Sequence, residues 1–188
     1  MTSVILASAS PRRADILQKY GIPFEQISSG AEEPGAFFAE NAAMSNAKVK
    51  AEDLSQQFPD RIVIAADTVI EFEEEVIGKP SDAEDAVRIL KRLSGKKHFV
   101  TTGVCILHAC EKVNILFADV SEVKFKQADE SVIREYISRV NVLDKAGAYA
   151  LQEYPELIIE SVKGDPENVI GLPVRAIETL KMLLSGQN

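Results

Sequence analysis

Hydrophobic positions in this chain fall into short unbroken runs and longer segments with helical spacing. Val4 to Ala9 is a short apolar run and predicts a buried strand. It leads straight into Ser10-Pro11-Arg12-Arg13, then Ala14, Ile16, Leu17 and Gly21. Serine suits a helix N-cap, proline the first helical position and glycine the C-terminal cap, so the chain opens strand, tight turn, helix. Glu40 to Phe58 has helical composition, with Ala43, Ala47, Leu54 and Phe58 sharing a face. Arg61 to Ile70 contains Ile-Val-Ile-Ala-Ala and predicts a second buried strand ending at Asp67-Thr68. Glu71 to Lys79 predicts a returning strand that turns at Glu73-Glu74-Glu75. Ser81-Asp82-Ala83-Glu84 has the form of a capping box, opening a helix to about Leu93 that Gly95 stops. His98 to His108 and Val113 to Phe125 predict two long antiparallel strands, and Asp129 caps a helix through Val140. Leu157 to Val162 predicts another strand. Pro173 opens a last amphipathic helix carrying Val174, Ile177, Leu180 and Leu184 on one face. Alternating helices and strands with hairpins between them predict an α/β fold, a mixed central sheet flanked by helices. A chain of 188 residues fits one domain, 1–188.

Composition narrows the function. Tryptophan is absent and aromatics are 6%, so the core must be aliphatic. Lys and Arg number 21 against 29 Asp and Glu, a formal charge of −8. Such a surface repels a nucleic-acid backbone and an anionic membrane, so neither polymer nor bilayer is an expected partner. A small anionic substrate would need a local basic cluster, with or without a metal ion, to overcome the general field. Cys105 and Cys110 are too few for a disulfide framework, and Cys105, inside Val104-Cys105-Ile106-Leu107, reads as a small buried hydrophobe. The N-terminus lacks a signal-peptide pattern and no run of about 18 apolar residues occurs, so the expected location is the cytoplasm.

Five constellations carry chemistry. Arg12 and Arg13 in the first turn of a helix oppose the macrodipole, which favours acidic residues there. An anion bound among Ser8, Ser10, free backbone N–H groups and a guanidinium fork would remove that conflict; a solvated arginine pair beside an ordinary serine cap is the alternative. Asp67-Thr68 ends an apolar strand, where a carboxylate can bind a divalent cation or orient a water, or simply make a turn. Lys79, stiffened by Pro80, and Lys48 on the second helix are either phosphate neutralisers or ordinary surface lysines. Asp144-Lys145-Ala146-Gly147-Ala148-Tyr149-Ala150-Leu151-Gln152 could let a flat ring approach its small residues and be read by Gln152, or be only a loop. Gly164 to Pro173 is a glycine-bounded turn with well-placed turn residues. The set His98, Cys105, His108 and Cys110 has metal-ligand types but no zinc-site spacing. Walker loops and nucleophile elbows are missing.

In order, Leu-Ala-Ser-Ala-Ser-Pro-Arg-Arg, Glu-Glu, Asn-Ala-Lys, Ala-Asp-Thr-Val, Gly-Lys-Pro, Leu-Ser-Gly, Asp-Lys-Ala-Gly-Ala-Tyr-Ala-Leu-Gln and Val-Ile-Gly-Leu-Pro run from Leu6 to Pro173. This series resembles the Maf family of nucleotide pyrophosphatases. The resemblance implies two lobes around a cleft, as in inosine triphosphate pyrophosphatases, and metal-dependent hydrolysis between the α- and β-phosphates. It places Ser8, Ser10 and Arg13 on phosphate. Glu33 and Asp67 would serve a divalent cation (Mg or Mn) and the attacking water, with Asp67 the proton acceptor. Lys48 and Lys79 would neutralise phosphate charge, and Arg12, Thr68 and Gln152 would select the base. These three are similar to the branch that acts on dTTP and UTP; the 7-methyl-GTP branch typically has Trp at position 12. Gly164-Asp165-Pro166-Glu167-Asn168 and Ala150 depart from the dTTP branch, the former toward the methyl-guanine branch. The resemblance also suggests a homodimer, and leaves open a non-catalytic nucleotide-binding regulator of septum formation.

Overall fold

The computed structural model describes residues 4–32, 34 and 39–186. Strand β1 (Val4–Ala7) is buried along its whole length and continues through a turn into helix α1 (Pro11–Lys19). Gly21, at φ +69°, follows the C-cap Tyr20, as the glycine position predicts. The chain returns as β2 (Phe24–Ile27), parallel to β1, then forms α2 (Ala39–Gln57) and β3 (Val63–Phe72). β3 runs parallel to β1 through Val63 and Ile64, then turns at Glu73-Glu74 into β4 (Glu75–Ile77). Both turn residues have positive φ, the conformation a tight two-residue hairpin demands. After α3 (Ala83–Leu93) come the antiparallel strands β5 (Lys97–His108) and β6 (Val113–Phe125), then α4 (Glu130–Arg139), capped by Asp129. A 3-10 turn (Ala146–Ala148), α5 (Pro155–Ile158), edge strand β7 (Ile159–Lys163), α6 (Pro166–Ile170) and α7 (Val174–Ser185) complete the order. The sheet has seven strands in the order β2-β1-β3-β5-β6-β7, with β4 on the β1 side of β3. The mixed sheet flanked by helices is the predicted fold class.

Three local expectations need correction. β3 does not end at Asp67-Thr68 but runs on to Phe72, because Val69, Ile70 and Phe72 supply a further buried stretch that pairs with both β4 and β5. The capping box is shifted by one residue. Asp82, not Ser81, is the N-cap; it accepts from the Asp85 N–H, and the Asp85 carboxylate reaches back to the Ser81 N–H. Leu157 and Ile158 belong to a helical turn opened by Pro155, and the strand starts at Ile159.

Strand alternation sorts the core onto two faces. On one, Ile5, Ala7, Val63, Ala65 and Cys105 meet Ala47, Ala51 and Leu54 of α2. The other face divides. At the β1 end, Leu6, Ile64, Ala66 and Val104 pack under α1 and α7; at the far end, Ile70, Phe72, Val100 and Phe125 pack under α3 and α4. Between these clusters β3 and β5 present a polar pair, Thr68 and Thr102, in register. The apolar roof parts there and a cleft opens.

Two further features position that cleft. β3 pairs with β1 only at Val63 and Ile64 and with β4 only from Ile70, so Ala65–Val69 has no strand neighbour on that edge among the described residues. On the α2 face, Gly103 of β5 is the register partner of Asp67. A Cβ on Gly103 would sit 2.3 Å from the Ala43 carbonyl carbon, so helix backbone touches sheet backbone there. The missing side chain brings α2 down beside Asp67.

Candidate active site

A cleft of about 480 Å³ opens where the two core clusters part, within the usual range for small-ligand sites. One wall is the β1–α1 turn with Ser8, Ser10, Arg12 and Arg13; the facing wall is Lys79 and the segment from Asp144 to Gln152. Asp67, Thr68, Ile70 and Val100 form the floor. Five basic residues (Arg12, Arg13, Lys50, Lys79 and Lys145) and two carboxylates line it. The local charge is thus positive in a chain whose formal charge is −8. Such a cluster attracts a polyanion that the net charge of the chain repels.

Arg13 is held in place rather than solvated. Its Nε donates to the Gly171 carbonyl at 2.8 Å, Nη1 to Ser8 Oγ at 3.0 Å and Nη2 to Thr68 Oγ1 at 3.2 Å. Ser10 occupies the N-cap position but makes no side-chain cap; its N–H donates to Ser8 Oγ at 3.2 Å. Gln26 Nε2 braces the turn through the Ser8 carbonyl at 2.8 Å. The first turn of α1 therefore lines the cleft with two guanidinium groups, an arrangement suited to phosphate.

Asp67 accepts from Lys50 Nζ at Oδ1, 2.8 Å, and from Asn46 Nδ2 at Oδ2, 2.9 Å. Both donors stand on α2 four residues apart, on one helix face. Asp67 and Lys50 keep only 14% and 16% of their side chains exposed, so the pair is shielded enough for its charge interaction to count. Lys48 is corrected by the same helical phase. Two residues from Asn46 it points about 200° away, lies half exposed, pairs with Glu52 at 3.7 Å and does not line the cleft. Lys50, on the other face of the helix, lines the cleft instead. Glu33, the other expected metal ligand, lies outside the described residues.

Lys79 lines the cleft from an exposed position after the hairpin, and Gln152 stands exposed at the rim opposite α1. The intervening loop is built for rigidity. Gly147, at φ +68°, packs so tightly on Ile70 that a Cβ would lie 2.6 Å from its Cδ1. The small residues thus serve the loop's own close approach to the sheet. Buried Lys145 donates to the Asn141 carbonyl and to Asp144 and sits 3.3 Å from Glu153. Tyr136 accepts from the Ala150 N–H at 2.9 Å and donates to its carbonyl at 3.3 Å. Behind the wall, His98 Nε2 lies 2.8 Å from the Tyr149 hydroxyl, and burial lowers the His98 pKa to about 4.

The Gly164–Asn168 turn does not line the cleft. Asp165 caps α6 and accepts from the Val174 N–H, and buried Glu167 pairs with Lys19 and Tyr20. Asn168, fully buried, donates to the Val100 carbonyl and Ser121 Oγ, both at 3.0 Å. Its departure from the dTTP-branch pattern therefore lies outside the cleft lining.

Among the described residues, Asp67 offers a divalent cation the lone pairs that its hydrogen bonds leave. The carboxylate already accepts two hydrogen bonds and keeps a lone pair on each oxygen, and no group of three or more His, Cys, Asp or Glu side chains converges among the described residues. The residues suit an ion that arrives with substrate phosphates, as magnesium commonly does, rather than an all-protein cage. His98, Cys105, His108 and Cys110 form no such group either; burial pushes the Cys105 thiol up to about 12. Among the described residues no helix is long and apolar enough to cross a membrane.

Fold and cleft together define an α/β protein with a cation-lined site suited to a polyphosphate. The chain belongs to the Maf family: a model described as Maf-like protein matches residues 3–184. It is similar to a dTTP/UTP pyrophosphatase of Akkermansia muciniphila, 46% identical over 176 residues, covering 93% of this chain and 92% of that one. A dTTP/UTP pyrophosphatase of Thermococcus gammatolerans is 42% identical over 180 residues, covering 96% of both. One of Ruminiclostridium cellulolyticum is 36% identical over 94% of this chain and 93% of its own.

Proposed function

We infer that this protein, as one catalytic domain over residues 1–188, hydrolyses dTTP and UTP between the α- and β-phosphates, releasing the monophosphate and pyrophosphate. The observation that carries this reading is Asp67, clamped by Lys50 and Asn46 on the floor of a cleft walled by cations. Phosphoryl transfer is chiefly positioning and electrostatic stabilisation. Arg13, Ser8, Ser10 and the α1 N-terminus hold the phosphate chain, while Lys79 and Lys50 offset charge that builds on the leaving pyrophosphate. Asp67 accepts a proton from the attacking water, and its two hydrogen bonds from Lys50 and Asn46 fix the direction of the carboxylate. Asp67, with Glu33, would hold a divalent cation (Mg or Mn), which lowers the pKa of bound water and neutralises phosphate charge. Arg12 and Gln152, on opposite rims, flank the base.

The test is pyrophosphate release from dTTP, UTP, CTP, 7-methyl-GTP and the common purine triphosphates, with and without a divalent cation. Cation-dependent turnover led by dTTP and UTP is the expected result. Turnover led by 7-methyl-GTP would overturn the base assignment, and tight binding without turnover would replace the enzyme with a nucleotide sensor.

A further inference from the structure

Beneath Thr68 runs a chain of hydroxyl groups whose proton direction is fixed by its end. A backbone carbonyl only accepts, and a threonine hydroxyl has one proton and two lone pairs. Thr102 Oγ1 lies 2.8 Å from the Asn168 carbonyl oxygen, so its single proton goes there. Thr102 Oγ1 also lies 3.0 Å from Thr68 Oγ1, so at this contact Thr68 must donate. Thr68 in turn accepts from Arg13 Nη2 at 3.2 Å. Its proton and one lone pair are thereby engaged, and what it shows the cleft is its second lone pair.

We propose that Thr102 and Asn168, neither of which lines the cleft, are positioning residues that lock Thr68 as a hydrogen-bond acceptor, so that it takes the imide N3–H of a thymine or uracil ring. The proposal rests on the reading that the cleft hydrolyses pyrimidine nucleoside triphosphates.

Three observations support the lock. Thr102 has no exposed surface, so water cannot substitute for either partner. Asn168 is anchored by its amide to Val100 and Ser121, which holds its carbonyl under Thr102. Gly171 leaves the Thr68 hydroxyl uncrowded, since a Cβ there would stand only 3.2 Å from Oγ1. The chemistry of the free lone pair then selects its partner. A phosphate oxygen only accepts, so it makes no hydrogen bond with this lone pair and has its donors on Arg13 instead. Sugar hydroxyls donate or accept with equal ease and would give no discrimination. Uracil and thymine present N3–H; cytosine presents a lone pair at N3, acceptor against acceptor, and a buried unmade hydrogen bond is costly.

The test compares kcat/KM for UTP, CTP and 3-methyl-UTP, which keeps both sugar hydroxyls but lacks N3–H. The enzymes are wild type, Thr68→Val, Thr102→Val and Thr102→Ser, each checked by thermal melting. Wild type should prefer UTP over each analogue by about tenfold or more. Thr68→Val should shrink both ratios toward unity. Thr102→Val frees the Thr68 hydroxyl to donate, so the UTP to CTP ratio should fall about tenfold, while Thr102→Ser keeps it. Should Thr102→Val fail to fold, the comparison of wild type with Thr68→Val on 3-methyl-UTP decides alone, because a purely steric effect of the methyl group would persist without the hydroxyl. Equal use of UTP and 3-methyl-UTP by wild type, or ratios unmoved in Thr68→Val, overturns the proposal and leaves the pyrophosphatase reading standing. If no pyrimidine triphosphate is hydrolysed, that reading fails and takes the proposal with it.

Discussion

Asp67 and Thr68 are adjacent on β3, yet strand alternation turns them toward different surroundings. Asp67 faces α2 and is gripped by a lysine and an amide on that helix. Thr68 faces the opposite side and joins hydroxyls, a backbone carbonyl and Arg13. One side sets a carboxylate between a lysine and an amide; the other offers an oriented hydrogen-bond array that ends on a guanidinium. The unpaired edge of β3 between β1 and β4 lets both line the same cleft. Two neighbouring residues can thus divide chemistry from recognition, and variants on the two sides should fail differently.

The largest effect belongs to the charged side. Asp67→Asn should lower kcat by about 10²–10⁴-fold, the range for removal of a positioned base, with nucleotide binding by calorimetry largely intact. Full turnover in that variant would remove Asp67 from the mechanism. Lys50→Met should cost about 10²-fold in kcat, as loss of one preorganised charge does. Lys48→Met, which breaks only an exposed pair, should stay within about twofold of wild type. If Lys48 proved the more damaging, the helical phase argued for α2 would be wrong.

The wall behind the recognition side supplies a stability prediction. Neutral His98 is favoured in the fold by burial, so between about pH 6.5 and about 4 the unfolded chain binds the extra proton. Stability therefore rises with pH across that window and is lost as pH falls through it, by roughly 3 kcal/mol at most. Urea titrations at pH 7 and pH 5 should show the difference, and His98→Gln should flatten it. A slope unchanged in the variant would assign the effect to carboxylates elsewhere. The smallest change is expected from Gln152→Ala, which should shift the dTTP to CTP ratio by at most about tenfold while sparing the best kcat. Equal losses on every triphosphate would make Gln152 structural.

Much of this was legible in the order of residues. Apolar runs predicted the sheet strands, and turn chemistry placed the β3–β4 hairpin, the α4 cap and the start of α7. What failed did so for identifiable reasons. Ser81 and Asp82 are both good N-caps, and only the reach of Asp85 back to Ser81 decides between them. Lys48 and Lys50 sit in the same short stretch, and only helical spacing from Asn46 separates the lysine that reaches Asp67 from the one that pairs with Glu52. Thr102 and Asn168 gave no local signal, because their roles arise from register between β3 and β5 and from a turn more than sixty residues away. Sheet order and cross-strand register are long-range properties that periodicity does not encode.

The bare contact between Gly103 and the Ala43 backbone has a consequence for how such a protein can change. It makes the distance from α2 to the sheet a fixed gauge. Lys50 and Asn46 ride on that helix, so the polarity around Asp67 is set by a strand residue that carries no functional group at all. Adding even one methyl group there would lift the helix and loosen the grip on the carboxylate without touching any member of the site. Adaptation of the chemistry is therefore confined to residues the helix carries, while the spacing itself is held outside the reach of gradual adjustment.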